Sequence, residues 1–150
     1  MDWPTTQASI AAAFTGLSDG AGTTLRASHA QPPDAIVTPC AVTILRGFEG
    51  VSIAGSRVTG RAKFDVLVLL DPTPDVPRRY AAMLRFTGPA LVAILAHMQL
   101  GNTAEIASVL PVSASPDLAG DSPDYAGLPY DLVRVALEVE FAYTVSVGWS

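Results

Sequence analysis

This sequence is poor in the residues that most often carry chemistry. It has one cysteine, Cys40, which leaves no partner for an intramolecular disulfide and no thiolate set for a zinc site. It has two histidines, His29 and His97, and neither has a carboxylate or cysteine at ligand spacing. His97 falls at the expected C-terminal end of a helix, where the helix dipole favours a cation. Charge is scarce as well: Asp, Glu, Lys and Arg make up only 15% of the 150 residues, against about a quarter in an ordinary soluble domain. Nine basic residues against fourteen acidic ones give a net charge of −5, and the basic ones are scattered. That excludes the basic surface needed to grip phosphates. The longest uninterrupted apolar run, Ala90 to Ala96, falls well short of the ~18 residues of a membrane-spanning helix. The start shows neither a basic n-region nor a cleavage site, so no signal peptide is expected. The phosphate-cradling G-x-x-x-x-G-K-S/T, the dinucleotide G-x-G-x-x-G, the G-x-S-x-G nucleophile elbow and the H-E-x-x-H zinc pair are all missing. On these grounds no enzyme activity, cofactor or metal is expected.

What remains is an excess of apolar residues, 49% of the chain, in a length suited to one domain, residues 1–150. With no membrane span to take it, the surplus points to subunit interfaces. The clearest pattern is Asp131 to Ser146. Val133, Val135, Leu137, Val139, Phe141, Tyr143 and Val145 fall on every second position. Arg134, Glu138, Glu140, Thr144 and Ser146 take most of the alternate places. Period two puts these sets on opposite faces of a strand, one on a core and one wet. Leu137 and its alternating neighbours are expected against helices. Glu138 and Glu140, about 7 Å apart along the strand, read as a wetted acidic surface; a glycosidase pair would face across a cleft.

The other elements follow in order. Thr5 to Leu17 reads as a helix facing the core with Ile10, Phe14 and Leu17, capped by Asp2 or Thr5. Leu25 to Ser28 reads as a short strand. The stiff link Gln31 to Asp34 leads to Ala35–Val37 and Ala41–Leu45, separated by Pro39. The glycine-punctuated stretch 47–60 is either a long loop or a hairpin tip. Its Phe48, Val51 and Ile53, with Arg46 just before, are candidates for an assembly interface carried on an arm that is mobile when free. Packing of these side chains onto their own sheet is the competing reading. Arg61 to Leu70 is a strand apolar on both faces, hence central or covered on both sides. Val76 to Phe86 reads as a helix capped by Asp75, broken at Thr87-Gly88-Pro89 and followed by a second helix ending at Gly101. Thr103 to Ser113 reads as a strand and 116–129 as a loop. The expected class is α+β, in the order α-β-β-α-β-β: a mostly antiparallel sheet of about four strands with helices packed on one face.

The residues FDVLVLL at Phe64–Leu70, RRYAAML at Arg78–Leu84 and TGPALVAIL at Thr87–Leu95 resemble the tail terminator proteins of long-tailed phages, especially those of actinobacterial hosts. The similarity extends to Leu100-Gly101 before a strand, to the closing EFAYTVSV, and to the proline-rich approach QPPDAIVTP behind a short first helix. It covers most of the chain. The resemblance implies a virion structural protein, assembled in the host cytoplasm, that forms a six-membered ring in the tail-neck region. Such a ring caps the tail tube, stops its polymerisation and meets the head–tail connector or stopper protein. Its implied partners are further copies of itself, the tail tube protein and the connector, with DNA passing unbound and no membrane involved. In that setting Arg134, Glu138 and Glu140 become candidates for the lumen or an axial face. Another neck component, a stopper or tail-completion protein, and a small cytoplasmic ligand-binding module are the alternative readings.

Overall fold

The computed structural model describes residues 3–70, 76–95, 106–117 and 131–145. The chain runs α1 (Trp3–Phe14), β1 (Ala27–His29), β2 (Cys40–Ala54), β3 (Arg57–Leu70), α2 (Val76–Ala93), β4 (Ile106–Asp117) and β5 (Asp131–Thr144). The class is α+β. Among the described residues the sheet has five strands in the order β1-β2-β3-β5-β4, and β1 lies parallel to β2 while the other pairs are antiparallel. The expectation of about four strands is therefore corrected to five in a mixed sheet. The additional strand is short and pairs only with Cys40–Val42.

Both helices lie on one face, and alternation explains why. Ala62, Phe64, Val66 and Val68 of β3 and Val133, Val135, Leu137, Val139 and Phe141 of β5 point to that side and are buried. They meet Ile10 and Phe14 of α1, Met83, Phe86 and Ala90 of α2, and Ile94 just past its end. The other face has a smaller core at one end, where Cys40, Val42, Leu67, Leu69 and Leu132 are buried with Ile36 of the proline-rich link packed against them. This is why β3 is apolar on both sides. Thr38–Pro39 is a cis peptide, and the Arg26 N–H donates to the Pro39 carbonyl at 2.8 Å. The segment Ala35–Val37 is not a strand; β2 starts at Cys40, beyond the proline that cannot donate to a ladder.

Three further boundaries differ from the sequence reading. α1 begins at Trp3, with Pro4 in its first turn, and ends at Phe14; Gly16 follows with φ 72°. α2 continues through Thr87-Gly88-Pro89. A proline inside a helix costs about 3 kcal/mol, but Met83, Phe86, Ala90 and Ile94 keep helical spacing across it and are all buried. That unbroken stripe holds the helix together, and the Thr87 hydroxyl donates to the Met83 carbonyl at 3.0 Å. β4 runs on to Asp117, so Pro116 and Asp117 are strand where a loop was expected; the rest of 116–129, with the proposed cap Asp75 and with His97 and Gly101, lies outside the described residues.

The stretch 47–60 is the outer half of the β2–β3 hairpin. Its glycines mark geometry rather than slack. Gly55, φ 62°, forms the turn with Ser56. Gly47 and Gly50, also at positive φ, stand at the register shifts Leu45/Gly47 and Glu49/Ser52, where a bulge needs a conformation open to glycine. β3 pairs with β5 along this whole length, from Arg57–Thr144 inward.

Candidate functional site

The residues singled out from the sequence fall on the two faces of this hairpin and its neighbours. On the helix side, Phe48 stands opposite Ala62 and Ile53 opposite Val58, while Val58 stands opposite Tyr143. Beyond the start of α1 the helices no longer cover the sheet. An apolar shelf results. Its inner edge is an aromatic cluster in which the Trp3 ring centroid lies 5.1 Å from those of both Phe48 and Phe141, edge to face in each case. Phe141 also lies over Gly60: a Cβ there would come within 3.1 Å of the ring and 3.3 Å of the Val51 Cα. Gly60 therefore lets Phe141 lie flat on the sheet. The outer edge is open, with Phe48 47% exposed, Val51 50% and Ile53 71%. Val145, just past β5, is exposed as well, its N–H donating to the Ser56 carbonyl at 2.7 Å.

The opposite face carries charge. Asp65, in the middle of β3, accepts from Arg46 Nε at 2.8 Å and from Arg134 Nη1 at 3.3 Å. The sequence places Arg46 next to Phe48, Val51 and Ile53, and Arg134 with Glu138 and Glu140. The structure instead joins the two arginines across three strands, through a carboxylate the sequence reading passed over. The bulge after Leu45 turns Arg46 away from Phe48. Further along, Glu49 pairs with Lys63 and lies 3.8 Å from Arg61. The Lys63 hydrogen bond holds the Glu49 carboxyl below the usual range, and Glu49 in turn raises Lys63. Glu138 stands opposite Lys63, and Glu140 opposite Arg61, with Ser108 donating to Glu140 Oε2 at 3.3 Å.

Four cations (Arg46, Arg61, Lys63 and Arg134) thus alternate with four carboxylates (Glu49, Asp65, Glu138 and Glu140) over this stretch of three strands. Opposite charges on directly paired residues attract and like charges repel; ion pairs join β2 to β3 through Arg46–Asp65 and Glu49–Lys63 and β3 to β5 through Asp65–Arg134, and the eight charges sum to zero. In the β3–β5 register Lys63 stands across from Glu138 and Arg61 across from Glu140, so the expected acidic surface has cations on the neighbouring strand.

Two residues to which the sequence assigns no role make contacts in the fold, Trp3 on the shelf and Asp19 away from it. Trp3 precedes the helix start assigned from propensity, so its ring was not placed on the shelf. Asp19 follows α1 and accepts from the N–H groups of Ala21 and Thr23 at 2.7 and 3.0 Å, with Arg85 of α2 3.5 Å away. The Ala21 N–H above all lowers the Asp19 carboxyl, with burial opposing and Thr23 and Arg85 assisting. An aspartate among glycines signals a turn; that it ties the turn to α2 does not show in the sequence.

No helix among the described residues is long and apolar enough to cross a membrane. The sequence matches no protein-family model, and no curated protein matches it significantly.

Proposed function

We propose that this chain is a structural assembly protein that works as a homo-oligomeric ring. Following the family resemblance, the ring is a hexamer that caps a phage tail tube, stops its polymerisation and joins it to the head connector or stopper. The observation that carries an assembly role is the apolar shelf formed by Phe48, Val51 and Ile53, which is exposed although Trp3 of α1 packs on Phe48, and which is held by its own strand ladder. Contiguous exposed apolar area of this kind marks interaction surfaces. Pre-ordering of the hairpin lowers the entropy lost on docking. Further apolar side chains, Tyr80, Leu84 and Val92 on α2 and Leu95 just past it, are exposed, so more than one surface is available to neighbours, as a ring subunit with lateral and axial contacts requires. The balanced charge face containing Arg134, Glu138 and Glu140 suits a lumen wall or axial surface that DNA passes without binding.

The test uses the purified chain and the tail tube protein of the same virion. Native mass spectrometry should show a closed oligomer, alone or on tubes, and the chain should fix tube length in a polymerisation assay. Binding to a head connector without any effect on tubes would favour a stopper. A monomer at all concentrations that leaves tube growth unchanged would overturn the assembly reading. Ile53→Asp, on the shelf, should leave the fold intact and reduce tube capping at least tenfold.

A further inference from the structure

Among the described residues, both outer edges of the sheet are open. β1 covers β2 only at Cys40–Val42, so the outer edge of β2 from Thr43 to Ala54 has no strand beside it. β4 is last on the other side, with no described strand beyond it. Open edges expose unpaired N–H and C=O groups and template pairing with another chain.

The two edges match in height. Through the ladders, Ser108 pairs with Glu140, Glu140 with Arg61, and Arg61 with Glu49. Val109 leads in the same way through Val139 and Ala62 to Phe48, and Leu110 through Glu138 and Lys63 to Gly47. At this level both edges are free of proline. At the other end β1 occupies the β2 edge, and Pro111 and Pro116 each remove an N–H from β4. Open backbone therefore faces out on both sides at this height, and beyond it the edges are interrupted by β1 on one side and by the two prolines on the other.

The faces match as well. Val109 and Phe48 belong to the helix side, and Ser108 and Glu49 to the charged side. A one-residue slip would invert one set. The directions match: β2 and β5 run one way and β3 and β4 the other, so the β4 of one copy meets the β2 of a like-oriented neighbour antiparallel. Side chains fit too. Leu110, 47% exposed, comes level with Gly47, where a Cβ would meet nothing within 4 Å. Residues 106–110 bring no charge against Arg46 or Glu49.

We propose that copies of this chain join head to tail, the β2 edge around Gly47–Val51 of one pairing antiparallel with the β4 edge around Ile106–Leu110 of the next, so that the sheets continue around a ring. A heterologous contact closes only if successive copies gain no height. Edges that are open at the same level meet that condition, with the ring axis along the strands. The bulges in both edge strands limit the ladder to a few rungs, and Phe48 and Leu110 supply the apolar contact around them. The proposal rests on the ring reading above and names its lateral interface.

Two single variants, Glu49→Cys and Ser108→Cys, and the double variant test it under a mild added oxidant. Cys40 stays out of the reaction: it is buried, and burial pushes its thiol up to about 11. Head-to-tail pairing predicts no cross-linked dimer from either single variant, a dimer from their mixture, and from the double variant a covalent ladder ending at the mass of the closed ring. Homodimers from one single variant would mean a two-fold contact and overturn the proposal. An oligomer by mass with no cross-link in the mixture would overturn it too, while leaving the ring-capping reading standing. A full ladder from a protein that does not affect tail tubes would leave the pairing standing and remove the capping function. A chain that neither associates nor cross-links would end both.

Discussion

Replacing Thr43 by valine should make this protein more stable. Thr43 lies on β2 between Ala41 and Leu45, opposite Val66, and is 0% exposed. Its hydroxyl is the one buried side-chain polar atom among the described residues with no hydrogen-bond partner. Taking a hydroxyl out of water without a partner costs about 1–3 kcal/mol. Valine keeps the shape and the β-branched χ1 preference suited to a strand, and it puts a methyl where the hydroxyl was. The expected gain is about 1–2 kcal/mol. At ~2–4 °C per kcal/mol for a chain of this length, the melting temperature should rise by roughly 2–8 °C. Thr43→Ser is the control. It keeps the hydroxyl and removes a methyl, and it should lose about 1 kcal/mol. Urea unfolding at one fixed protein concentration separates these effects, because association shifts apparent stability by mass action. The midpoint should move while the m-value stays constant. A valine variant less stable than the parent by more than about 0.5 kcal/mol would refute the reasoning, and would mean that a buried water or another group satisfies the hydroxyl in solution.

Two further predictions concern the core and the turn. Leu137, 1% exposed, should cost about 3 kcal/mol when cut to alanine and should abolish folding as Leu137→Asp, because an unpaired buried carboxylate costs several kcal/mol. Its neighbour Glu138, on the charged face, should change stability by no more than about 0.5 kcal/mol as Glu138→Ala; a reversal of the two in chemical unfolding would mean the β5 register is off by one residue. Asp19, with its carboxyl held below the ordinary 3.8, favours the fold when ionised. That contribution is complete above the unfolded value and fades as pH falls through the lower folded one. Asp19→Asn should therefore destabilise at neutral pH and converge with the parent in acid. A gap that stays constant down to about pH 2 would show that the N–H contacts to Asp19 matter without its charge.

Where a pattern is local, the sequence alone determined it. The alternation in Arg61–Leu70 and Asp131–Ser146 states which side chains enter the core, because a strand cannot turn successive residues to the same face. Phe64, Val66, Val135, Leu137 and Val139 are accordingly buried, and the core face of α1 follows in the same way from Ile10 and Phe14. What the tertiary structure decided is everything that depends on which distant segments share a rung. Asp65 is 19 residues from Arg46 and 69 from Arg134, and no window of sequence reports that both reach it. The acidic pair Glu138 and Glu140 looked unmatched because Lys63 and Arg61 become their neighbours only through the β3–β5 register. α2 survives its proline because the sheet beneath rewards an unbroken stripe more than local propensity penalises it. The glycines of 47–60 read as looseness until pairing assigned them to bulges and a turn. Propensity and alternation are properties of the chain's own bonds; register, edge exposure and charge pairing arise only when the collapsed core fixes which strands lie side by side.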